Sequence, residues 1–154
     1  MGTVSACRSV SIPADGRNIW PLLGEPGHHP SWLTLHRGFD GKPPARLGRG
    51  DRYRQQLALV GRQGSVAWMV TDIAENILVE LTGAAPMRIR ITLRVSIEPA
   101  ADDSSAVTLG MRYEGALLRG AVAETLCRAT ETELANSLAR LRQLISASTD
   151  GPVG

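Results

Sequence analysis

The chain of 154 residues has the length of one domain, and its charge is nearly balanced, with 17 Lys and Arg, 15 Asp and Glu and a net charge of +2. That balance excludes the basic surface of a nucleic-acid-binding domain, so we expect no nucleic-acid partner. Two cysteines are too few for a secreted disulfide framework, and no apolar run reaches the roughly 18 residues of a membrane span. The N-terminus lacks the apolar core of a signal peptide, so we expect a cytoplasmic protein without integral membrane association.

The first third of the chain predicts two strands separated by two short helices. In chain order these are a strand over Val4–Ile12, a helix through Trp20–Leu23, a helical turn within His28–Leu33 and a strand near Leu35–Phe39. Pro13 ends the first strand, and Asp15 or Asn18 can cap the first helix. Residues 40–51 are rich in glycine and proline and predict an exposed loop.

The middle of the chain predicts a meander of five antiparallel strands. They cover Tyr53–Val60, Val66–Ile73, Ile77–Thr82, Met87–Ile97 and Val107–Tyr113. In Met87–Ile97 apolar residues alternate with arginine, threonine and serine, which predicts one buried and one solvated face. The connections at residues 61–64, 74–76, 83–86 and 99–105 are short and turn-rich, as antiparallel hairpins require.

The end of the chain predicts one long amphipathic helix over Leu118–Ile145. Apolar residues recur there at helical spacing. We therefore expect an α+β fold in which a seven-stranded antiparallel sheet curves around this helix and can enclose a cavity. We assign residues 1–146 to a single ligand-binding domain and residues 147–154, which are polar and contain glycine and proline, to a flexible C-terminal tail.

Three short motifs support a family resemblance. They are Ile12-Pro13-Ala14, Ile19-Trp20 and Pro30-Ser31-Trp32. Together with the element order, they resemble the START-like helix-grip fold of the SRPBCC superfamily, and in particular its polyketide cyclase/dehydrase and lipid-transport family. The resemblance implies an internal cavity between the concave face of the sheet and the N-terminal half of the long helix. It implies no cofactor.

Alternation along the strands nominates polar side chains for this cavity. Arg8 is in register with Val10 and Ile12 and should point inward, either toward a ligand or at a bulge or frayed strand start. Gln55 lies on the face of Tyr53 and Leu57, and the alternative for it is solvent exposure near the barrel mouth. On the helix, Thr130 falls on the apolar stripe and is a pocket candidate.

Three aromatic residues complete the predicted ligand-binding set. The resemblance places Trp32 where aromatase/cyclases of the superfamily have a tryptophan lining the substrate channel, although closing the helix pair over the core explains it equally well. Trp68 alternates with Val66 and Val70, and its alternative is also a core role. Tyr113 ends the last strand, where its hydroxyl can reach a cavity.

The histidines and one strand segment argue against more specific chemistry. His28 and His29 are adjacent and cannot easily both bind one metal, and no carboxylate or cysteine joins them or His36 at a recognised spacing, so we expect no metal site. Aromatase/cyclases of the superfamily carry a strand arginine that is thought to position the polyketide, but Thr71-Asp72-Ile73 occupies that region here. The cyclase interpretation is weaker for this reason.

Three functions remain open from the sequence. The first is a protein, monomeric or homodimeric, that binds an apolar or aromatic small molecule, polyketide-like or lipid-like. The second is an active, cofactor-independent polyketide aromatase/cyclase, in which the pocket orients a reactive chain. The third is a regulatory or self-protection protein that sequesters its ligand. Sequence alone leaves open whether the protein is an enzyme.

Overall fold

Residues 2–149, which the computed structural model describes, form seven strands, three α-helices and three short 3₁₀ turns. The strands are β1 (Gly2–Ile12), β2 (His36–Asp40), β3 (Arg52–Leu59), β4 (Arg62–Ala74), β5 (Leu78–Ala85), β6 (Ile89–Pro99) and β7 (Ser105–Gly115). The helices are α1 (Gly16–Gly24), α2 (His29–Trp32) and α3 (Gly120–Thr149), and the 3₁₀ turns are Pro26–His28, Pro86–Arg88 and Ala101–Asp103. None of the described helices is long and apolar enough to cross a membrane.

All seven strands belong to one antiparallel sheet in the order β1-β7-β6-β5-β4-β3-β2. The meander from β2 to β7 is sequential, and β1 pairs with β7 along its full length, from Gly2 opposite Gly115 to Ile12 opposite Ser105. This pairing brings the N-terminus beside the start of α3. The predicted seven-stranded sheet, the two short helices between its first two strands and the long C-terminal helix are confirmed.

The core lies between the concave face of the sheet and the C-terminal half of α3. Leu134, Leu138, Leu141 and Ile145 recur at three- and four-residue intervals and are buried. The first turns of α3 depart from the predicted stripe, because Val122 is 58 % exposed and Leu126 is only half-buried. These turns lie over an opening between helix and sheet, where no side chain of the sheet fills the space.

Element boundaries differ from the prediction mainly at turns. Val60 and Gly61 have φ of 53° and 72° and form a two-residue hairpin turn, so β4 begins at Arg62 rather than Val66. Met87 and Arg88 have φ of 66° and 59° and lie in a 3₁₀ turn, although their side chains continue the polar–apolar alternation. Strand β6 therefore begins at Ile89. The polar–apolar pattern of a sequence does not indicate where a residue other than glycine adopts a left-handed backbone conformation.

Helix α3 continues to Thr149, three residues beyond the predicted end of the domain at 146. The remaining residues of the predicted tail, 150–154, lie outside the described residues.

The position of the core predicts which substitutions lower stability. Leu134 is fully buried on α3, so Leu134→Ala should lower the free energy of unfolding by about 2–5 kcal/mol through lost burial and a residual cavity. Arg90 lies exposed on the convex side of β6, and Arg90→Gln should change it by less than about 0.5 kcal/mol. Urea denaturation followed by circular dichroism measures both, and equal effects would contradict this placement of the core.

Candidate functional site

A cavity of about 270 Å³ opens between the concave face of the sheet and the N-terminal half of α3. Its mouth is formed by the β3–β4 hairpin, the Pro86–Arg88 turn and Leu126 of α3. The lining is mostly apolar. It comprises Leu35, Leu57, Leu59, Arg62, Gln63, Gly64, Val66, Ala85, Pro86, Met87, Ile89, Ile91, Met111, Tyr113 and Leu126.

Small side chains explain why the space is open at this end. On the helix face toward the sheet, Ala123 and Thr130 precede the buried leucines that fill the other half of the core. On the sheet, β5 ends in Gly83 and Ala85 on the same face. A Cβ on Gly83 would lie 2.5 Å from Cγ1 of Val66 and 2.7 Å from Cε3 of Trp68. Glycine at position 83 therefore lets the Trp68 ring lie against β5.

Tyr113 is the predicted ligand-binding residue that lines this cavity. Its hydroxyl lies 2.9 Å from Oγ1 of Thr130 and 3.6 Å from the sulfur of Met111. The phenol has a single hydrogen, so when it donates to the sulfur, the hydroxyl of Thr130 donates to the phenol. Burial raises the pKa of Tyr113 to about 12, so the phenol is neutral at physiological pH. Thr130 is fully buried and contributes to the cavity wall through this hydrogen bond rather than by lining the space.

Gln55 and Trp68 belong to a buried hydrogen-bond chain outside the cavity lining. The indole Nε1 of Trp68 can only donate, and it donates to Oε1 of Gln55 at 3.0 Å. The amide nitrogen of Gln55 must then face His36, where it donates to Nδ1 at 2.9 Å. Nδ1 of His36 is therefore unprotonated, in agreement with the pKa of His36 being lowered by burial and by the nearby charge of Arg37.

Arg8 lies on the strand face predicted for it, but at the edge of the sheet rather than in its interior. Because β1 is an edge strand crossed by α3, the guanidinium reaches the side of the helix and forms an ion pair with Glu131 at 2.8 Å. The Arg8 side chain remains half-exposed and does not line the cavity. Of the cavity candidates Arg8, Gln55 and Tyr113, only Tyr113 therefore lines this space.

Trp32 closes the two short helices over the core. It is buried, and its Nε1 donates to the carbonyl of Leu22 at 2.7 Å. Its ring meets the ring of His29 edge-on at 5.9 Å, and both line a small internal space of about 10 Å³ that is separate from the cavity. This is the core role that the sequence left as the alternative for Trp32.

His29 is buried next to Trp32. Its Nε2 lies 3.2 Å from the carbonyl of Leu23 and must carry the proton, because a carbonyl only accepts, while its Nδ1 has no hydrogen-bond partner among the described residues. Desolvation lowers the pKa of His29 to about 4. Within residues 2–149 no three His, Cys, Asp or Glu side chains are grouped closely enough to hold a metal ion.

Arg62 is a lining residue that the sequence analysis missed. It was assigned to a turn, yet it is the first residue of β4 and shares a strand face with Gly64, Val66 and Trp68. Counting back by two from Val66 would have placed Arg62 on the cavity face. Asp72, from the segment that replaces the superfamily's strand arginine, is half-exposed and paired with Arg49 at 2.8 Å.

The fold defines a class of protein: a helix-grip protein of the START-like SRPBCC superfamily. The model of the polyketide cyclase/dehydrase and lipid transport family matches residues 3–146 of the chain. The chain belongs to this family.

The chain is similar to relatives and to solved structures of low sequence identity. The toxin Rv0910 of Mycobacterium tuberculosis is 19% identical over 130 residues, which are 84% of this chain and 90% of the toxin. A START superfamily protein from Mycobacterium smegmatis is 21% identical, with a TM-score of 0.73 over 93% of this chain and 99% of the other. The Zhui aromatase/cyclase from Streptomyces sp. R1128 is 11% identical, with a TM-score of 0.78 over 99% of each chain.

The Tyr113–Thr130 pair predicts a measurable coupling. Tyr113→Phe leaves the buried hydroxyl of Thr130 without its partner and should lower the free energy of unfolding by about 1–3 kcal/mol. Thr130→Val should be destabilising as well, and the double variant should lose less than the sum of the single losses, because no unpaired hydroxyl remains. Strictly additive losses in urea denaturation would show that the two hydroxyls are not coupled.

His29 predicts a loss of stability in acid. The folded protein keeps this ring neutral down to a pKa of about 4, whereas the unfolded chain protonates it near pH 6.5. The unfolded state then binds more protons, so stability is fully present above pH 6.5 and falls as the pH drops toward 4, by up to about 3 kcal/mol.

Paired histidine variants isolate this contribution. His28 is exposed, so His28→Gln should keep the dependence of unfolding free energy on pH, whereas His29→Gln should flatten it between pH 6.5 and 4. Urea denaturation at several pH values provides the measurement. An unchanged slope in His29→Gln would assign the acid sensitivity to other groups, such as His36.

Proposed function

We propose that this protein binds an apolar or aromatic small molecule, polyketide-like or lipid-like, in the cavity under the N-terminal half of α3. One observation carries the proposal: an open space of about 270 Å³ whose lining is mostly apolar. Burial of apolar ligand surface against such walls is favourable by about 25 cal/mol per Å². A few placed polar groups are enough to orient the ligand, and Tyr113 supplies one of them.

The size of the cavity limits the ligand. Its volume of about 270 Å³ is slightly below the range of roughly 300–1,000 Å³ that is typical of pockets for drug-sized molecules. The wall includes Met111 and Leu126, whose side chains have several rotatable bonds, and Leu126 is only half-buried. A slender chain or a compact ring system therefore fits this space better than a large fused polycycle.

The chemistry of the lining favours binding over catalysis. General acid–base catalysis at neutral pH needs a group whose pKa lies near 7. Tyr113, the buried titratable group in the described lining, has a pKa of about 12, and His36 hydrogen bonds to Gln55 outside the lining. An aromatase/cyclase activity is supported by likeness in fold to the Zhui aromatase/cyclase and not by an acid–base group of this cavity. No contact within residues 2–149 favours the regulatory or self-protection alternative.

A matched pair of variants tests the cavity. Ala85 lines it, whereas its neighbour Ala84 is exposed on the opposite face of β5. Ala85→Trp fills the space and should weaken binding of an uncharged fluorescent probe, N-phenylnaphthylamine, by at least about tenfold, since tenfold corresponds to only ~1.4 kcal/mol. Ala84→Trp should bind the probe like the unmodified protein.

Circular dichroism of both variants provides the control for folding. If the two folded variants bind the probe equally well, the probe site lies elsewhere and the proposed function loses its support. If the unmodified protein does not bind the probe at all, an apolar binding function is overturned.

A further inference from the structure

We propose that the ligand of this cavity is an amphiphilic acid, whose apolar body occupies the space while its carboxylate or phosphate group binds Arg62 at the mouth. This inference rests on the proposed function and specifies the class of ligand. A carboxylate and a phosphate share the relevant chemistry, because each presents anionic oxygens to the planar fork of a guanidinium.

Arg62 is placed to meet the ligand. It follows the Val60–Gly61 turn, pairs with Leu59 across the hairpin and lines the cavity on the same strand face as Val66. Both β-strands of the hairpin are regular here, so the backbone at Arg62 is fixed at the mouth. The side chain itself is exposed, and its charge can therefore stay hydrated until a ligand arrives.

Arg62 is the one charged residue in the described lining, and no acidic side chain accompanies it there. Several arginines elsewhere in the described chain are in ion pairs, among them Arg8 with Glu131, Arg49 with Asp72 and Arg94 with Glu80. Arg62 has neither an ion pair nor a side-chain hydrogen bond within residues 2–149. All its guanidinium donors are therefore available to an anion.

The composition of the site separates the two ends of the ligand. Apart from Gln63 and Arg62 at the mouth and the Tyr113 hydroxyl, the lining offers hydrocarbon and the thioethers of Met87 and Met111. An anion placed deep in this space would lose its hydration without a compensating cation. The acid group must therefore lie at Arg62 and the apolar body must point inward.

The test compares ligands that differ only in the head group. Decanoate, decyl phosphate and decanol should each displace N-phenylnaphthylamine from the unmodified protein, with both acids at least about tenfold tighter than decanol at neutral pH. Arg62→Gln should weaken both acids about tenfold and leave decanol and the probe unchanged. Arg90→Gln removes the same charge from the exposed convex face and should alter none of them. Raising the ionic strength should narrow the gap between acids and alcohol.

The outcomes separate this inference from the proposed function. If the probe binds and decanol competes as well as the acids, or if Arg62→Gln weakens all ligands alike, the acid specificity is wrong while the apolar site stands. If acid binding falls equally in Arg62→Gln and Arg90→Gln, the effect is one of net charge, and the role of Arg62 is overturned. If neither probe nor acid binds, both the function and this inference fail.

Discussion

The structure depends on the packing of one helix stripe against one face of a curved sheet. Leu134, Leu138 and Leu141 fill the concavity from the C-terminal half of α3 and exclude water from it. The same helix carries Ala123 and Thr130 nearer its start, which are too small to continue that packing. A stable core and an open cavity are thus two ends of a single interface, and the change in side-chain volume along α3 determines where one gives way to the other.

Two groups of buried polar side chains pair within the protein and leave the cavity mostly apolar, although Nδ1 of His29 and the hydroxyl of Tyr53 have no hydrogen-bond partner among the described residues. Trp68, Gln55 and His36 form a chain of hydrogen bonds, and Tyr113 pairs with Thr130. A buried donor or acceptor without a partner is expensive, so such groups pair within the protein whenever the fold allows it. A group that is already paired adds little binding free energy, so Tyr113 can help to orient a ligand but contributes little to its affinity. An unpaired charge at the edge of an apolar space can bind a ligand more strongly, because its hydrogen-bond donors and its charge are still free to pair.

Alternation and helical spacing were sufficient to predict the fold, whereas the site needed information that these patterns do not contain. Period-two alternation assigned Arg8 to the correct face, but it does not report position across the sheet, and on edge strand β1 that face meets Glu131 and solvent. The glycines at positions 61 and 64 predict a turn over Arg62, whereas the strand begins at Arg62, so its place on the cavity face follows only when the alternation of Val66 and Trp68 is extended back through the predicted turn. Trp32 shows a further limit, since aromatic residues at a pocket and in a core have the same pattern.

Desolvation determines how a ligand can lie in such a site. The two turns beside the mouth carry exposed apolar side chains: Val60 of the β3–β4 hairpin is 50 % exposed, and Met87 of the Pro86–Arg88 turn is 59 % exposed. A ligand whose apolar body runs past them into the cavity covers this surface as well as its own, which adds to the free energy gained by burial. In the reversed orientation, with the acid group inside the cavity, the anion would be buried, the guanidinium of Arg62 would stay unpaired, and Val60 and Met87 would remain exposed. The burial of apolar surface and the hydration of the anion both favour the orientation with the acid group at Arg62. That orientation therefore dominates even if no hydrogen bond forms deep in the cavity.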